Sequence, residues 1–187
     1  MRLFVALDLN DDIRAALEAA IAALRPLAKN ARWSKPEGMH VTLKFIGHVG
    51  PEKLDPIRVV LAMVRSGAPV ELQIRGLEFF PDTRRPRVIA CGIAASANLA
   101  PLASEIERSL EPLGIPREER KFTPHVTLGR QRDFRGEDDL VHAAETVASR
   151  DFGSTRATEF HLYESFTKPS GSEYEKLASF DFVKGAA

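Results

Sequence analysis

The chain has 187 residues, 44% of them hydrophobic, and its 26 Lys and Arg balance 26 Asp and Glu to a formal net charge of zero. That size suits one domain with a sizeable core, and neutrality excludes capture of nucleic acid by bulk positive charge while leaving room for a local basic groove. The single cysteine, Cys91, excludes an internal disulfide framework and a four-thiolate zinc site; no apolar run nears the ~18–20 residues of a membrane span, and Asp8 interrupts the opening stretch before a signal-peptide core can form, so a cytoplasmic protein with no membrane partner is expected.

In chain order, residues 2–9 read as a strand, apolar and β-branched between polar neighbours. Asn10 or Asp11 can cap a helix whose apolar face is Ile13, Leu17, Ile21 and Leu24. His40-Val41-Thr42-Leu43 reads as strand, and residues 51–65 predict a helix with Pro51 at its start and Leu54, Ile57, Leu61 and Val64 on one side. Val70, Leu72 and Ile74 alternate with Glu71, Gln73 and Arg75, the period of a half-buried strand. A Pro-bounded polar loop, 81–87, leads to a strand over 87–94. A helix then begins near 96–98, takes Pro101 in its first turn, buries Leu99, Leu102, Ile106, Leu110 and Leu113, and stops at Gly114. After His125-Val126-Thr127-Leu128, residues 130–136 read as loop and 137–148 as helix. The last part, 155–166 and 174–182 joined by Lys168-Pro169-Ser170-Gly171, reads as a β-hairpin.

The two His-Val-Thr-Leu segments begin at 40 and 125, an offset of 85 residues. The same offset aligns the strand at 2–9 with that at 87–94, Leu17 with Leu102 and Ile21 with Ile106, without a gap. An internal repeat of about 1–50 and 86–135 follows. The expected architecture is α+β: a single bilobal domain, 1–187, of two pseudo-symmetric lobes. Each is a mainly antiparallel sheet with helices on its outer face, and a cleft lies between them.

A strand sends residues i and i+2 to one face, so His40 and Thr42 point together, as do His125 and Thr127. Two strands facing across an approximate two-fold axis would gather both imidazoles and both hydroxyls around the cleft. Histidine titrates near neutrality, so one ring can remove a proton while the other delivers one. In-line hydrolysis of a phosphodiester needs this pair: a base for the incoming water and an acid for the departing oxygen. The hydroxyls suit hydrogen bonds to the non-bridging oxygens, and Arg130, just beyond the second tetrapeptide, suits fixed positive charge.

This pair of motifs resembles the two-histidine phosphoesterase superfamily, marked by a His-x-Thr-x tetrapeptide in each lobe, and within it the bacterial and archaeal RNA 2′,3′-cyclic phosphodiesterases first described as 2′–5′ RNA ligases. The similarity extends over Arg2-Leu3-Phe4-Val5-Ala6-Leu7-Asp8-Leu9, Arg32-Trp33, Pro36-Glu37-Gly38-Met39 ahead of His40, Lys44-Phe45-Ile46-Gly47 after it, Phe80-Pro81, Arg85-Pro86-Arg87-Val88, Phe122-Thr123-Pro124 and Gly129-Arg130. The resemblance implies metal-independent hydrolysis of a terminal RNA 2′,3′-cyclic phosphate to a 2′-phosphomonoester. His40 is then the proton donor, His125 the acceptor, and Thr42, Thr127 and Arg130 the phosphate contacts. The implied partner is an RNA end, such as a tRNA fragment, or a cyclic nucleotide, acted on by a monomer without cofactor. Ligation of tRNA halves, hydrolysis of small cyclic nucleotides, and a non-catalytic RNA-end or nucleotide-binding module are the alternatives.

Metal is disfavoured because neither tetrapeptide carries a second ligand at i+2 and no His-x-x-x-His or Cys-x-x-Cys occurs. His48, His142 and His161 lack the motif and read as surface or packing residues, and Cys91 as a small core residue. Trp33 is open to two readings, stacking on a base or supporting the next strand, and Phe122 raises the same question. Lys35, Lys44, Arg84, Arg85, Arg87, Arg117, Arg120, Lys121, Arg130 and Arg132 are the cations available to line an RNA approach.

Overall fold

The first unit opens with β1 (Arg2–Asp8) and α1 (Asp11–Leu24). Asn10 is the cap: its side-chain oxygen accepts a 2.9 Å hydrogen bond from the Ile13 N–H, satisfying a donor that the first turn leaves without a partner. The computed structural model describes residues 1–82, 86–131, 150–168 and 171–183. A short strand, β2 (Ala31–Trp33), precedes β3 (His40–His48), which carries the first tetrapeptide. Residues 51–65 are less helical than their apolar spacing predicts. Pro51–Lys53 form a 3-10 turn and only Leu54–Leu61 an α-helix, α2; past its end the Met63 and Val64 N–H groups bond the Val60 and Leu61 carbonyls three residues back, which tightens the chain out of the α-helix. Val64 still reaches the core from the turn that follows.

The strand β4 (Val70–Phe80) buries Val70, Leu72 and Ile74 as the alternation requires. Then β5 (Val88–Ala95), α3 (Leu99–Leu110) and β6 (His125–Gln131) repeat the first unit. A 3-10 turn over Glu111–Leu113 ends at Gly114 with φ 76°, where glycine meets no steric cost. Arg130 and Gln131, read from sequence as the start of a loop, instead finish β6, because their backbones pair with β2. The helix expected over 137–148 lies outside the described residues, as do His142, Arg84, Arg85 and Arg132. The segment 155–166 is not one strand. β7 (Asp151–Ala157) and β8 (Glu159–Lys168) are separated by Thr158 alone, with no Pro or Gly to mark the break, and β8 forms the expected hairpin with β9 (Gly171–Asp181).

These strands form one antiparallel sheet in the order β7-β4-β5-β6-β3-β1-β8-β9, with β2 paired to β6. β7 lies at one edge and β8 next to the other edge, yet one residue joins them, so the sheet must curl until its ends approach. The order is symmetric about the β3–β6 seam, with β1 matching β5 and β8 matching β4. Outer strands are exchanged: β4 follows the first unit but pairs with β5, and β8 follows the second but pairs with β1. The two lobes read from the sequence are therefore halves of a single curled sheet. α3 packs against β3, α2 against α3, and α1 against β7, and the buried faces of all three helices join one hydrophobic core.

Candidate active site

The seam is where the two tetrapeptides meet. Val41 pairs with Val126, and antiparallel geometry then sets His40 beside Thr127 and Thr42 beside His125. Both valines are fully buried, which commits the alternate residues to the opposite face. There His40, Thr42, His125, Thr127 and Arg130 line one cleft of about 680 Å³. All five residues singled out from the sequence are thus brought together. β3 and β6 share only that one registered pair, and farther along β6 takes β2 as its partner. The two strands therefore diverge, with Ser34 in the gap donating from its N–H to the Leu128 carbonyl and from its hydroxyl to the Thr127 carbonyl, both at 2.8 Å.

Each imidazole is anchored the same way. His40 Nδ1 lies 2.8 Å from the Gly38 carbonyl and His125 Nδ1 2.9 Å from the Thr123 carbonyl. A carbonyl only accepts, so Nδ1 carries the proton in both rings and Nε2 is left for substrate. Ring packing holds them: Phe4 lies 4.7 Å from His40 and Tyr174 meets it edge-on at 5.2 Å, while Phe80 lies 4.8 Å from His125. Burial among these groups lowers the His40 pKa to about 4, against the opposing pull of the Gly38 carbonyl and the Asp8 charge; Arg14 and His125 add to the lowering.

Both motif strands break step at the last residue of the tetrapeptide, Leu43 in β3 and Leu128 in β6. In β3, Ala6 pairs with Thr42 but Val5 with Lys44 and Phe4 with Phe45. In β6, Ala90 pairs with Thr127 but Ile89 with Gly129 and Val88 with Arg130. These bulges reverse the alternation, sending Phe45 and Arg130, 85 residues apart in sequence, back toward the cleft. Lys44, expected on the RNA approach, is turned to the helical side. It is 5% exposed and bonds Glu107 Oε2 and the Pro116 carbonyl, each at 2.6 Å.

The groups behind His40 were not foreseeable from the tetrapeptides. Asp8 pairs with His40 across the β1–β3 ladder. Its carboxylate accepts hydrogen bonds from the Tyr163 hydroxyl and, at 2.7 Å, from Lys176 Nζ, and faces His161 Nε2 at 3.4 Å. Burial pushes the Asp8 pKa up, but the bonds from Lys176 and Tyr163, with the charges of His161 and Lys176, outweigh it and leave it lowered. His161, read as a surface or packing residue, is buried and lies 2.9 Å from the Ser179 hydroxyl; burial lowers its pKa, and Asp8 opposes that. A single acid closing an apolar strand was the available signal, but its partners come from β8 and β9. On the other side, the Glu78 carboxylate lies over Gly92, the residue paired with His125.

Trp33 borders the cleft and is half-buried, its ring against Gly129, where an added Cβ would lie 3.0 Å from Trp33 Cε3. Phe122 packs on the core. His48 is exposed. Cys91 is buried, and burial with the Glu78 charge pushes its thiol up to about 12. Of the described cations expected along an RNA approach, Lys35 and Arg130 line the cleft; Arg87, Arg120 and Lys121 do not, and Arg117 pairs with Glu111 at 2.6 Å. Arg2, Arg32 and Lys168, not anticipated, complete five cations in a lining that, among the described residues, contains no carboxylate. Among the described residues no group of three or more His, Cys, Asp or Glu is placed to hold a metal ion, and no helix is long and apolar enough to cross a membrane.

The model of the LigT-like phosphoesterase family matches residues 7–90 and 93–174. The chain belongs to this family. Relatives named RNA 2′,3′-cyclic phosphodiesterase include those of Archaeoglobus fulgidus, 32% identical over 97% of this chain and 100% of the relative, and of Methanothermobacter thermautotrophicus, 32% identical over 96% and 98%. Among LigT-like structures, TT0787 of Thermus thermophilus superposes with a TM-score of 0.81 at 30% identity, covering 98% of each chain. LigT of E. coli, solved with 3′-AMP, shares the fold at a TM-score of 0.78 and 24% identity over 98% of each chain.

Proposed function

We propose that the protein hydrolyses RNA 2′,3′-cyclic phosphate termini to 2′-phosphomonoesters by paired-histidine acid–base catalysis, without a metal. The observation that carries this is the matched pair of imidazoles, both bound at Nδ1 to a backbone carbonyl and both bordering one cation-lined cleft whose described lining holds no carboxylate. The names of full-length relatives supply the substrate.

His125 Nε2 takes a proton from water as the water oxygen bonds to phosphorus. The P–O3′ bond breaks, and His40 Nε2 delivers its proton to O3′. Thr42 and Thr127 donate to the non-bridging oxygens, and Arg130 offsets their charge. His40 must enter the step protonated, although its surroundings favour the neutral ring, so the bound phosphate itself has to draw the proton on.

The test is an oligoribonucleotide ending in a 2′,3′-cyclic phosphate, incubated with the protein and EDTA, with the product mapped. Expected is a 2′-phosphate, with kcat reduced by about 100-fold or more in both His40→Ala and His125→Ala. Loss of the reaction in EDTA would overturn the metal-free scheme, and tight binding without turnover would make the protein a binding module.

A further inference from the structure

Each histidine has a carboxylate on the side away from the seam, but the two are delivered differently. In the first unit the residue across the ladder from His40 is Asp8, which carries its own. In the second unit the residue across from His125 is Gly92, and the room left by its missing side chain is taken by a carboxylate from β4, the next strand out. A Cβ on Gly92 would lie 2.6 Å from Glu78 Oε1, 3.1 Å from Glu78 Cδ and 3.2 Å from the Arg75 carbonyl. Directly opposite residues of an antiparallel pair hold their Cβ atoms ~4.5–5.5 Å apart on one face, so this carboxylate lies within about 8 Å of His125 Cβ.

A bulge in β4 brings Glu78 there. Arg75 pairs with Gly92 but Glu78 with Ala90, so Gly76 and Leu77 together face the single residue Cys91. Gly76 has φ 65°, which glycine takes without steric cost. In straight register Leu77 would stand across from Ala90; the extra residue puts Glu78 there instead. Ala90 pairs in turn with Thr127, so Glu78 shares the face of Thr127 and leans one pair along the strands toward His125. Glu78 is half-buried and makes no hydrogen bond or ion pair with another described residue. Arg150, whose charge also reaches Cys91, lies over the Phe152 ring at 5.4 Å. A half-buried carboxylate without a counter-charge costs stability, and this one stands where positive charge appears during the reaction.

Resting on the hydrolase reading above, we propose that Glu78 is a positioning residue for the base: through the gap at Gly92, its negative charge stabilises the imidazolium that His125 becomes on taking the proton from water. The proton goes to His125 Nε2 while Nδ1 keeps its own, bonded to the Thr123 carbonyl. Glu78 takes no proton and forms no bond to phosphorus. Because the ring gains its charge only as the water attacks, the carboxylate lowers the barrier without tightening substrate binding.

The experiment measures Tm, and kcat and KM on an oligoribonucleotide ending in a 2′,3′-cyclic phosphate, in the wild type, Glu78→Gln, Glu78→Ala, and Glu78→Ala combined with Gly92→Asp. Glu78→Gln keeps the shape and removes the charge; kcat should fall by about ten-fold with KM changed by less than about two-fold and Tm no lower than in the wild type. The double variant sets a carboxylate across from His125 as Asp8 stands across from His40, and should recover most of the kcat lost in Glu78→Ala. A purely structural Glu78 would show its loss in Tm, and a carboxylate on another strand would not restore turnover. A kcat in Glu78→Gln within about two-fold of wild type, or no recovery in a double variant that keeps its Tm, would overturn the proposal and leave the hydrolase reading intact. Should the double variant melt early, Glu78→Gln alone decides. A wild type that turns over no cyclic phosphate would overturn the hydrolase reading itself.

Discussion

Asp8 stands directly across the β1–β3 ladder from His40, its carboxylate held by the Tyr163 hydroxyl and Lys176 Nζ. Opposite residues of an antiparallel pair share a face, so this charge acts on the imidazole with strand-fixed geometry. It opposes the burial that lowers the His40 pKa, whereas Arg14 of α1 and His125 of β6 reinforce the lowering. Asp8→Asn keeps the side-chain shape and removes the charge. The NMR titration midpoint of the His40 imidazole in the free protein should move to still lower pH, with Asp8→Glu restoring part of the difference. An unchanged midpoint would reduce Asp8 to a packing role.

Substrate charge decides whether His40 can act as the acid. The ring titrates at about 4 in the free protein, so near pH 7 it is neutral. One negative charge at ~4 Å and an effective dielectric of ~20 is worth about 4 kcal/mol, or about three pH units, enough to bring the midpoint near 7. Saturation with adenosine 2′-phosphate is expected to raise the His40 midpoint by about that amount, and a midpoint that ignores the bound phosphate would assign His40 the base role. The same depression makes a stability prediction. Between an unfolded value of ~6.5 and about 4 the unfolded chain binds more protons, so stability falls as pH drops through that window. His40→Gln should flatten the fall in a denaturant series.

Lys44 follows Thr42 by two residues, and strict alternation would place it in the cleft with the substrate. The bulge instead gives it to Glu107 and the Pro116 carbonyl. Lys44→Met leaves the Glu107 carboxylate, only 16% exposed, without its counter-charge, a loss of about 3 kcal/mol. Calorimetry should show a clear drop in Tm, with kcat/KM on a cyclic phosphate little changed. The reverse outcome, intact stability with impaired turnover, would return Lys44 to the substrate face.

Much of the site was legible because its signals are local. The 85-residue offset, the i and i+2 placement of His40 with Thr42, and the Asn10 cap need only neighbouring residues to be read. What escaped depends on pairing between distant strands. A bulge is a mismatch between two strands, so neither the burial of Lys44 nor the exposure of Phe45 is written in β3 alone. The break at Thr158 comes from β7 joining β4 while β8 joins β1, at opposite ends of the sheet. Asp8 acquires its role from Tyr163 and Lys176, more than 150 residues away. Arg2 is not among the cations that the sequence offers for an RNA approach, yet it lines the cleft.

Gly129 sits between Thr127 and Arg130 in the second bulge, paired with Trp33. A methyl group there would lie 3.0 Å from Trp33 Cε3 and 3.4 Å from the Arg32 carbonyl, and the backbone on that side gives little room. Gly129→Ala should therefore displace the indole, at a cost of about 1–2 kcal/mol. Trp33 is the only tryptophan, so its fluorescence reports the displacement without interference. A shifted emission maximum should accompany a raised KM, because Arg130 is the next residue along the bulge. Unchanged emission with a raised KM would mean that the methyl acts on Arg130 directly, and Trp33 would then have no part in shaping the phosphate end of the cleft.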